Sequence, residues 1–393
     1  MAISRKILST MEKSSWIRRM FEAGAKLKAE HGNDNVFDFS LGNPNLEPPR
    51  EFQEALSRQA AETSSGLHSY MPNAGYPAVR EKVAAYISGE YGIPLDAGNV
   101  IMTVGAGGAL NVALKSLINH GDYILCPSPY FMEYQFYCDN HGGILNTVPT
   151  GPDFLPNIER LAEEIGPRTA ALIINFPNNP TGTVYTQEYL DRLGEMLTAR
   201  SREINRTIYL ISDEPYRKIV YGEVEPGSVF KAYPHSLIAT SYSKDLSIPG
   251  ERIGWLAIHP EAEDVKNLVN AAILCNRILG YVNAPAFMQR IVGELQGVSA
   301  DIEVYRRKRD MICDVLADAG YEFTRPAGTF YLFPKAPGGD DLRLVQALQQ
   351  ERILTVPGRG FGREGFFRIA FCVDDATIEG SAEGFKKVLR QFK

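Results

Sequence analysis

Short, nearly unbroken apolar runs recur along the first two thirds of the chain. Val36–Ser40, Asn99–Thr103, Tyr123–Pro127, Ala170–Asn175, Thr207–Ser212, Leu237–Ser241 and Gly254–His259 are five or six residues long and rich in Val, Ile and Leu. Runs without polar alternation suit strands buried on both faces. Helical periodicity lies between many of them, for example over Ala109–Asn119 and Gln187–Arg200. The alternation predicts an α/β fold built on a mostly parallel, doubly wound sheet.

The last third has a different rhythm. A long helical stretch begins near Ala284 and runs past Val304. Glu322–Phe333 follows, then a helix near Leu342–Glu351, a strand-like Phe366–Phe371 and a last helix near Ala376–Gln391. This predicts a smaller α+β domain. The N-terminal segment is expected to join it, because the main sheet begins only after residue 50. The expected division is therefore a large domain over 50–280 and a small one formed by 1–49 and 281–393.

Composition narrows the function. The 393 residues carry 41 Lys and Arg against 47 Asp and Glu, a net charge of −6. No basic excess is available to neutralise nucleic-acid phosphates. The five cysteines, at 126, 138, 275, 313 and 372, form no C-x-x-C pair and are odd in number. They argue against a disulfide framework or zinc site and for a reducing cytoplasm. The six histidines show no H-E-x-x-H spacing. The first two dozen residues are basic but lack the apolar core of a secretory signal. No run reaches the roughly 18 apolar residues of a membrane span. Glu12 and Glu22 interrupt the basic character of the opening segment, so a helix packed on its own protein is expected over a membrane-surface helix.

Three short motifs point in misleading directions. Gly105-Ala106-Gly107-Gly108-Ala109-Leu110 follows a strand and opens a helix, but a dinucleotide fingerprint requires glycine where Leu110 stands. What survives is a glycine-rich turn whose free N–H groups favour an anion such as phosphate. Its bland alternative is a tight turn with no ligand. Gly358-Arg359-Gly360-Phe361-Gly362 fails the same fingerprint at Arg363 and reads as a flexible loop. Ser241-Tyr242-Ser243-Lys244 matches the S-x-x-K of serine acyl-transferring enzymes, but the chain has no K-T-G partner motif.

Four polar features stand out together, the first three each following an apolar run. They are Asn175-Phe176-Pro177-Asn178-Asn179-Pro180-Thr181-Gly182, Ser212-Asp213-Glu214-Pro215-Tyr216, Ser241–Lys244, and Arg252 eight residues after Lys244. Singly each has a plain reading: a Pro/Gly turn, a helix cap, solvated charges. Together, at the carboxyl ends of strands in an open sheet, they mark a ligand site.

In that combination and order the chain resembles the class I/II aminotransferases, the fold-type I superfamily dependent on pyridoxal 5'-phosphate (PLP). The resemblance runs from Gly42 to Arg368. It implies that Lys244 carries PLP as a Schiff base, with an amine whose pKa nearby positive charge lowers. Asp213 would pair with the pyridine nitrogen, Tyr216 and Asn179 would bond the ring's 3'-oxygen, and Phe131 would stack on the ring. The phosphate would rest on backbone N–H groups of the Gly105, Ala106 and Gly107 turn, with Ser241, Ser243 and Arg252. Tyr70 resembles a tyrosine that reaches the phosphate from a partner subunit, which implies a homodimer with shared active sites. Arg368 would clamp the substrate α-carboxylate, under a loop carrying Gly42. The implied reaction moves an amino group from an L-amino acid to a 2-oxo acid, with Lys244 as the proton-transfer group. PLP-dependent carbon–sulfur β-lyases share most of these residues and form the alternative. In one aspartate-specific subgroup an arginine before Tyr-x-Asn-x-Pro binds the distal carboxylate. Here Ile278 holds that place, beside Arg277, so the donor is left open.

Overall fold

The computed structural model describes residues 3–12 and 16–392. Residues 1, 2, 13–15 and 393, which fall within the expected small domain, lie outside the described residues. Among the described residues twelve strands occur, in chain order: β1 (Phe37–Asp38), β2 (Val100–Thr103), β3 (Tyr123–Ser128), β4 (Ile144–Pro149), β5 (Thr169–Asn175), β6 (Tyr209–Asp213), β7 (Ser236–Ser241), β8 (Gly254–Ile258), β9 (Tyr331–Leu332), β10 (Ile353–Leu354), β11 (Val356–Pro357) and β12 (Phe367–Ala370). Seven of them form one sheet in the order β2-β8-β7-β6-β5-β3-β4. Only β8 runs against the rest. The mostly parallel α/β sheet is therefore as expected.

Period-2 alternation along these strands feeds two separate cores. Met102, Leu172, Ile174, Leu210 and Ile238 face one, with Val83, Ile87 and Leu193 from covering helices. Ile101, Ile173, Ile211, Leu237 and Leu256 face the other, with Leu114 from the helix Gly105–Leu117. Apolar residues on both faces explain the unbroken runs. A third core joins Phe39, Phe330, Ile353, Val356, Phe367, Ile369 and Phe385 around the short strands. It also takes in Tyr216 and Ile219, which follow β6, so the two bodies meet where the main sheet ends.

Several expectations need correction. β4 was not foreseen; it is the exposed edge strand, and Ile144 faces solvent. Val36–Ser40 shrinks to the two residues of β1, which pairs with β10 outside the main sheet. The long stretch from Ala284 is two helices, Ala286–Val292 and Ile302–Ala319. The break follows Gly293, and Gly297 there takes a φ of +84° that side chains disfavour. Gly358–Phe361 is a buried 3₁₀ turn instead of a flexible loop. A side chain at Gly358 would sit 2.3 Å from the Arg363 carbonyl, and Arg359 is tied to Asp341 at 2.8 Å. At the N-terminus the helix Trp16–His31 buries Met20, but Ile7 and Met11 on the helix Arg5–Glu12 are exposed. Packing on the same chain thus holds for the second helix more than for the first.

Gly194 illustrates close packing within this frame. It lies in the helix Gln187–Glu203, and a Cβ there would stand 2.2 Å from the Ala232 carbonyl oxygen. Alanine would gain about 1 kcal/mol of helix propensity. Forcing backbone apart costs about 1–3 kcal/mol, so the overlap outweighs the gain. Gly194→Ala is expected to lower unfolding free energy in urea, by up to about 2 kcal/mol, and a variant more stable than wild type would contradict this packing.

Candidate active site

The parallel strands end on one side of the sheet, and three of them deliver polar groups there in register. Asn175 at the end of β5 lies beside Asp213 at the end of β6, which lies beside Ala239 of β7. Ser241 closes β7, and Lys244 follows three residues later. The helix Gly105–Leu117 starts at the same edge, directly after β2. Between them opens a cavity of about 320 Å³. It is lined by Ala106, Gly107, Phe131, Asn179, Asp213, Tyr216, Ser241, Ser243, Lys244 and Arg252. Gly42 and Arg368 enter from the small-sheet body. Of the residues singled out in the sequence, Gly105 and Tyr70 do not line the cavity. Gly105 does not reach the lining; it takes a φ of +76° that side chains disfavour, and a Cβ there would stand 3.0 Å from the Arg252 guanidinium. Tyr70 is 90% exposed on the surface of this chain.

Asp213 is buried at the floor. Its Oδ2 accepts a short hydrogen bond from the Tyr134 hydroxyl, while Oδ1 is buried with no partner among the described residues. Its backbone carbonyl accepts from Asn175 Nδ2 at 2.7 Å. Burial pushes the Asp213 carboxyl up to about 7; the Tyr134 bond opposes this and the charge of Glu214 adds to it.

Lys244 Nζ donates to the Gly42 carbonyl at 2.8 Å. Its pKa falls from 10.5 to about 8. Burial is the main cause; Cys372 acts against it, and Arg368 and Arg252 add to it. Nearby positive charge therefore helps, as expected, but desolvation comes first.

Arg368 is only 2% exposed. It donates to Asn179 Oδ1 at 3.1 Å and to the Ser40 carbonyl at 2.7 Å, and its guanidinium lies 4.5 Å from the Tyr331 ring centre. Its Nε has no partner, and it makes no ion pair among the described residues. A buried guanidinium without a carboxylate is costly unless a ligand brings one. Tyr216 and Tyr331 share a hydroxyl–hydroxyl bond of 3.1 Å beside it.

Three contributors were not found from sequence, and Asn175 was seen only as the start of its polar segment, without its role. Tyr134 holds Asp213, Asn175 fixes both Asp213 and the Asn179 backbone N–H, Tyr331 packs under Arg368 and against Gly42, and Glu133 lines the cavity wall. The only signal for Tyr134 and Glu133 was their closeness to Phe131, in Phe131-Met132-Glu133-Tyr134. The five cysteines are free and buried, as expected without disulfides.

The family profile described as aminotransferase class I and II matches residues 34–385. The chain belongs to that family. Among its relatives is an aspartate/prephenate aminotransferase of Thermus thermophilus, 31% identical over 361 residues, covering 89% of this chain and 90% of the relative. A solved aminotransferase from Eubacterium rectale superposes with a TM-score of 0.97 at 35% identity, covering all of both chains. Aspartate aminotransferase from Thermus thermophilus with maleate superposes with a TM-score of 0.87 at 28% identity, over 99% of this chain and all of the other. The fold is that of the fold-type I PLP enzymes. The chain is a transaminase of a PLP-dependent family, acting on amino acids and oxo acids. The serine acyl-transfer alternative finds no support in the site, since the hydrogen bond of Lys244 Nζ goes to Gly42 and not to Ser241 or Ser243.

Because the Lys244 amine is charged in the unfolded chain up to pH 10.5 but only to about 8 in the fold, unfolded chains bind the extra proton between these values. The resulting penalty is full below pH 8 and disappears as pH rises through 10.5. In the cofactor-free protein, Lys244→Met should therefore be more stable than wild type at pH 7, by at most on the order of 3 kcal/mol. The gap should narrow between pH 8 and 10.5, as read by urea unfolding across that range. A gap independent of pH would contradict the buried, depressed amine.

Proposed function

We propose that this cavity holds PLP and that Lys244, Asp213 and Tyr216 carry out transamination on it. The observation that carries the reading is the unpartnered Oδ1 of buried Asp213, in one cavity with a buried lysine. A protonated pyridine nitrogen is a donor that would satisfy this oxygen and hold the carboxyl ionised. The Gly105 turn supports a phosphate seat. Glycine at 105 allows the close approach of Arg252, and backbone N–H groups at Ala106 and Gly107 open a helix toward the same wall as Ser241 and Ser243. Asn179 offers its NH₂ group, since its oxygen is taken by Arg368; Tyr216 offers its hydroxyl, and Phe131 a ring face.

Bound PLP supplies an electron sink for the substrate α-carbon and a temporary seat for the amino group. The chain's residues do the rest. Arg368 clamps the α-carboxylate with its paired N–H groups and thereby orients the Cα–H bond. Lys244 Nζ, with a pKa of about 8, takes the proton from Cα as a general base near neutral pH. The loop carrying Gly42, held on Lys244 and packed on Tyr331, narrows the mouth and excludes water.

We propose further that the protein works as a homodimer in the cytoplasm. Exposed Tyr70, with exposed Leu274 and Ile278, supports a partner surface across which Tyr70 reaches the second site. Five buried free thiols suit a reducing compartment. No helix among the described residues is long and apolar enough to cross a membrane. The separate core around Phe330 and Phe367 supports a small domain drawn from both ends of the proposed division into 50–280 and 1–49 with 281–393, but the helix Ala286–Val292 buries Met288 and Ile291 in the main-sheet core, which moves the second boundary past it.

Purified PLP-loaded protein, given an amino acid and no acceptor, should release one oxo acid per site and then stop until a 2-oxo acid is added. Continuous release of pyruvate and ammonia would instead favour the β-lyase chemistry. Lys244→Ala should lower transamination about 100- to 10,000-fold, and ordinary turnover in that variant would contradict the assignment.

A further inference from the structure

Glu133 has no place in the reaction derived above, yet it lines the cavity. It opens the helix Glu133–Asn140, immediately before Tyr134 and two residues after Phe131. The wall that carries it is fixed at both of these neighbours. Tyr134 is bonded to Asp213, and the Phe131 and Tyr134 rings meet edge to face at 5.7 Å. Glu133 Oε2 is buried without a partner among the described residues. Its carboxyl is pushed up by burial, against its own backbone N–H and the charge of Arg368. A carboxylate that has lost water and gained no donor is costly, and the helix N-terminus offsets only part of that cost.

The remaining assignments decide what such a group can do. Arg368 takes the substrate α-carboxylate and Lys244 works at Cα, so both ends of the α-carbon are provided for. Glu133 would repel a carboxylate, including one at the far end of a substrate side chain. It shares the lining of one cavity with Tyr137, Leu110 and Phe131, side chains that the reaction at Cα leaves free to face the rest of a substrate. A cationic side-chain terminus is the group that would restore both charge and hydrogen bonding at Oε2.

We propose that Glu133 is a specificity-determining residue that selects substrates carrying a side-chain ammonium or guanidinium over those carrying a second carboxylate. This rests on the transaminase site described above.

The test uses the PLP-loaded protein and equilibrium binding of acids that have no amino group to transfer. Calorimetry would compare 4-guanidinobutanoate, glutarate and hexanoate on wild type, Glu133→Gln and Arg368→Ala. Wild type should bind the guanidino acid at least about 10-fold more tightly than glutarate, the range of a charge-assisted hydrogen bond. Glu133→Gln should remove most of that preference, and glutarate should bind it more tightly than it binds wild type. This gain cannot come from a damaged fold. The ratio of kcat/KM for lysine or arginine over glutamate should fall in parallel. An unchanged ratio in Glu133→Gln, or a wild-type preference for glutarate, overturns the proposal. If Arg368→Ala leaves all three acids bound as before, the underlying site reading fails instead.

Discussion

Asp213 is buried at the end of a central strand with one carboxylate oxygen held by Tyr134 and the other held by nothing. Removing a charge from water without a full set of donors is among the most expensive things a fold can do. Here it happens close to two further such groups. Lys244 is desolvated until its pKa approaches neutrality, and Arg368 is buried with no carboxylate beside it among the described residues. Each of the three is short of a specific partner. On the proposed reading, a pyridinium nitrogen, a carbonyl carbon and a carboxylate are those partners, and the cavity is completed by a cofactor and an amino acid together, at the expense of the empty protein's stability.

The rest of the architecture keeps that arrangement from relaxing. In-register strand ends place Asn175 beside Asp213, and Asn175 ties both the Asp213 carbonyl and the Asn179 backbone N–H. Asn179 in turn holds Arg368, which comes from β12 of the other body. The chain of contacts therefore crosses from the main sheet to the small sheets through the site itself. Gly42 makes the last link. Its carbonyl accepts from Lys244, and a side chain there would collide with the Tyr331 hydroxyl. On the proposed reading, proton transfer at Cα and recognition of the carboxylate thus depend on the same few contacts.

Much of this was legible in the sequence, for identifiable reasons. Strands buried on both faces leave unbroken apolar runs, so β2, β3, β5, β6, β7 and β8 stood out. The edge strand β4 alternates exposed and half-buried positions and left no such trace. Polar residues at strand ends were visible as a set, and the family resemblance gave them roles. Tyr134 was invisible because its partner lies 79 residues away and only folding brings them together. Glu133 was passed over because a glutamate at a helix start looks like an ordinary favourable charge at the dipole. The helix break after Gly293, where Gly297 takes a positive φ, and the buried turn at Gly358, closed against the carbonyls of Arg363 and Phe366, rest on local backbone geometry that periodicity does not encode.

The central claim is that one lysine is set apart from all the others by its surroundings. Borohydride reduction of the PLP-loaded protein, followed by proteolysis and mass spectrometry of the peptides, tests it most directly. The account predicts one cofactor per chain, fixed on Lys244. Label spread over several lysines, or held on a lysine other than Lys244, would contradict it.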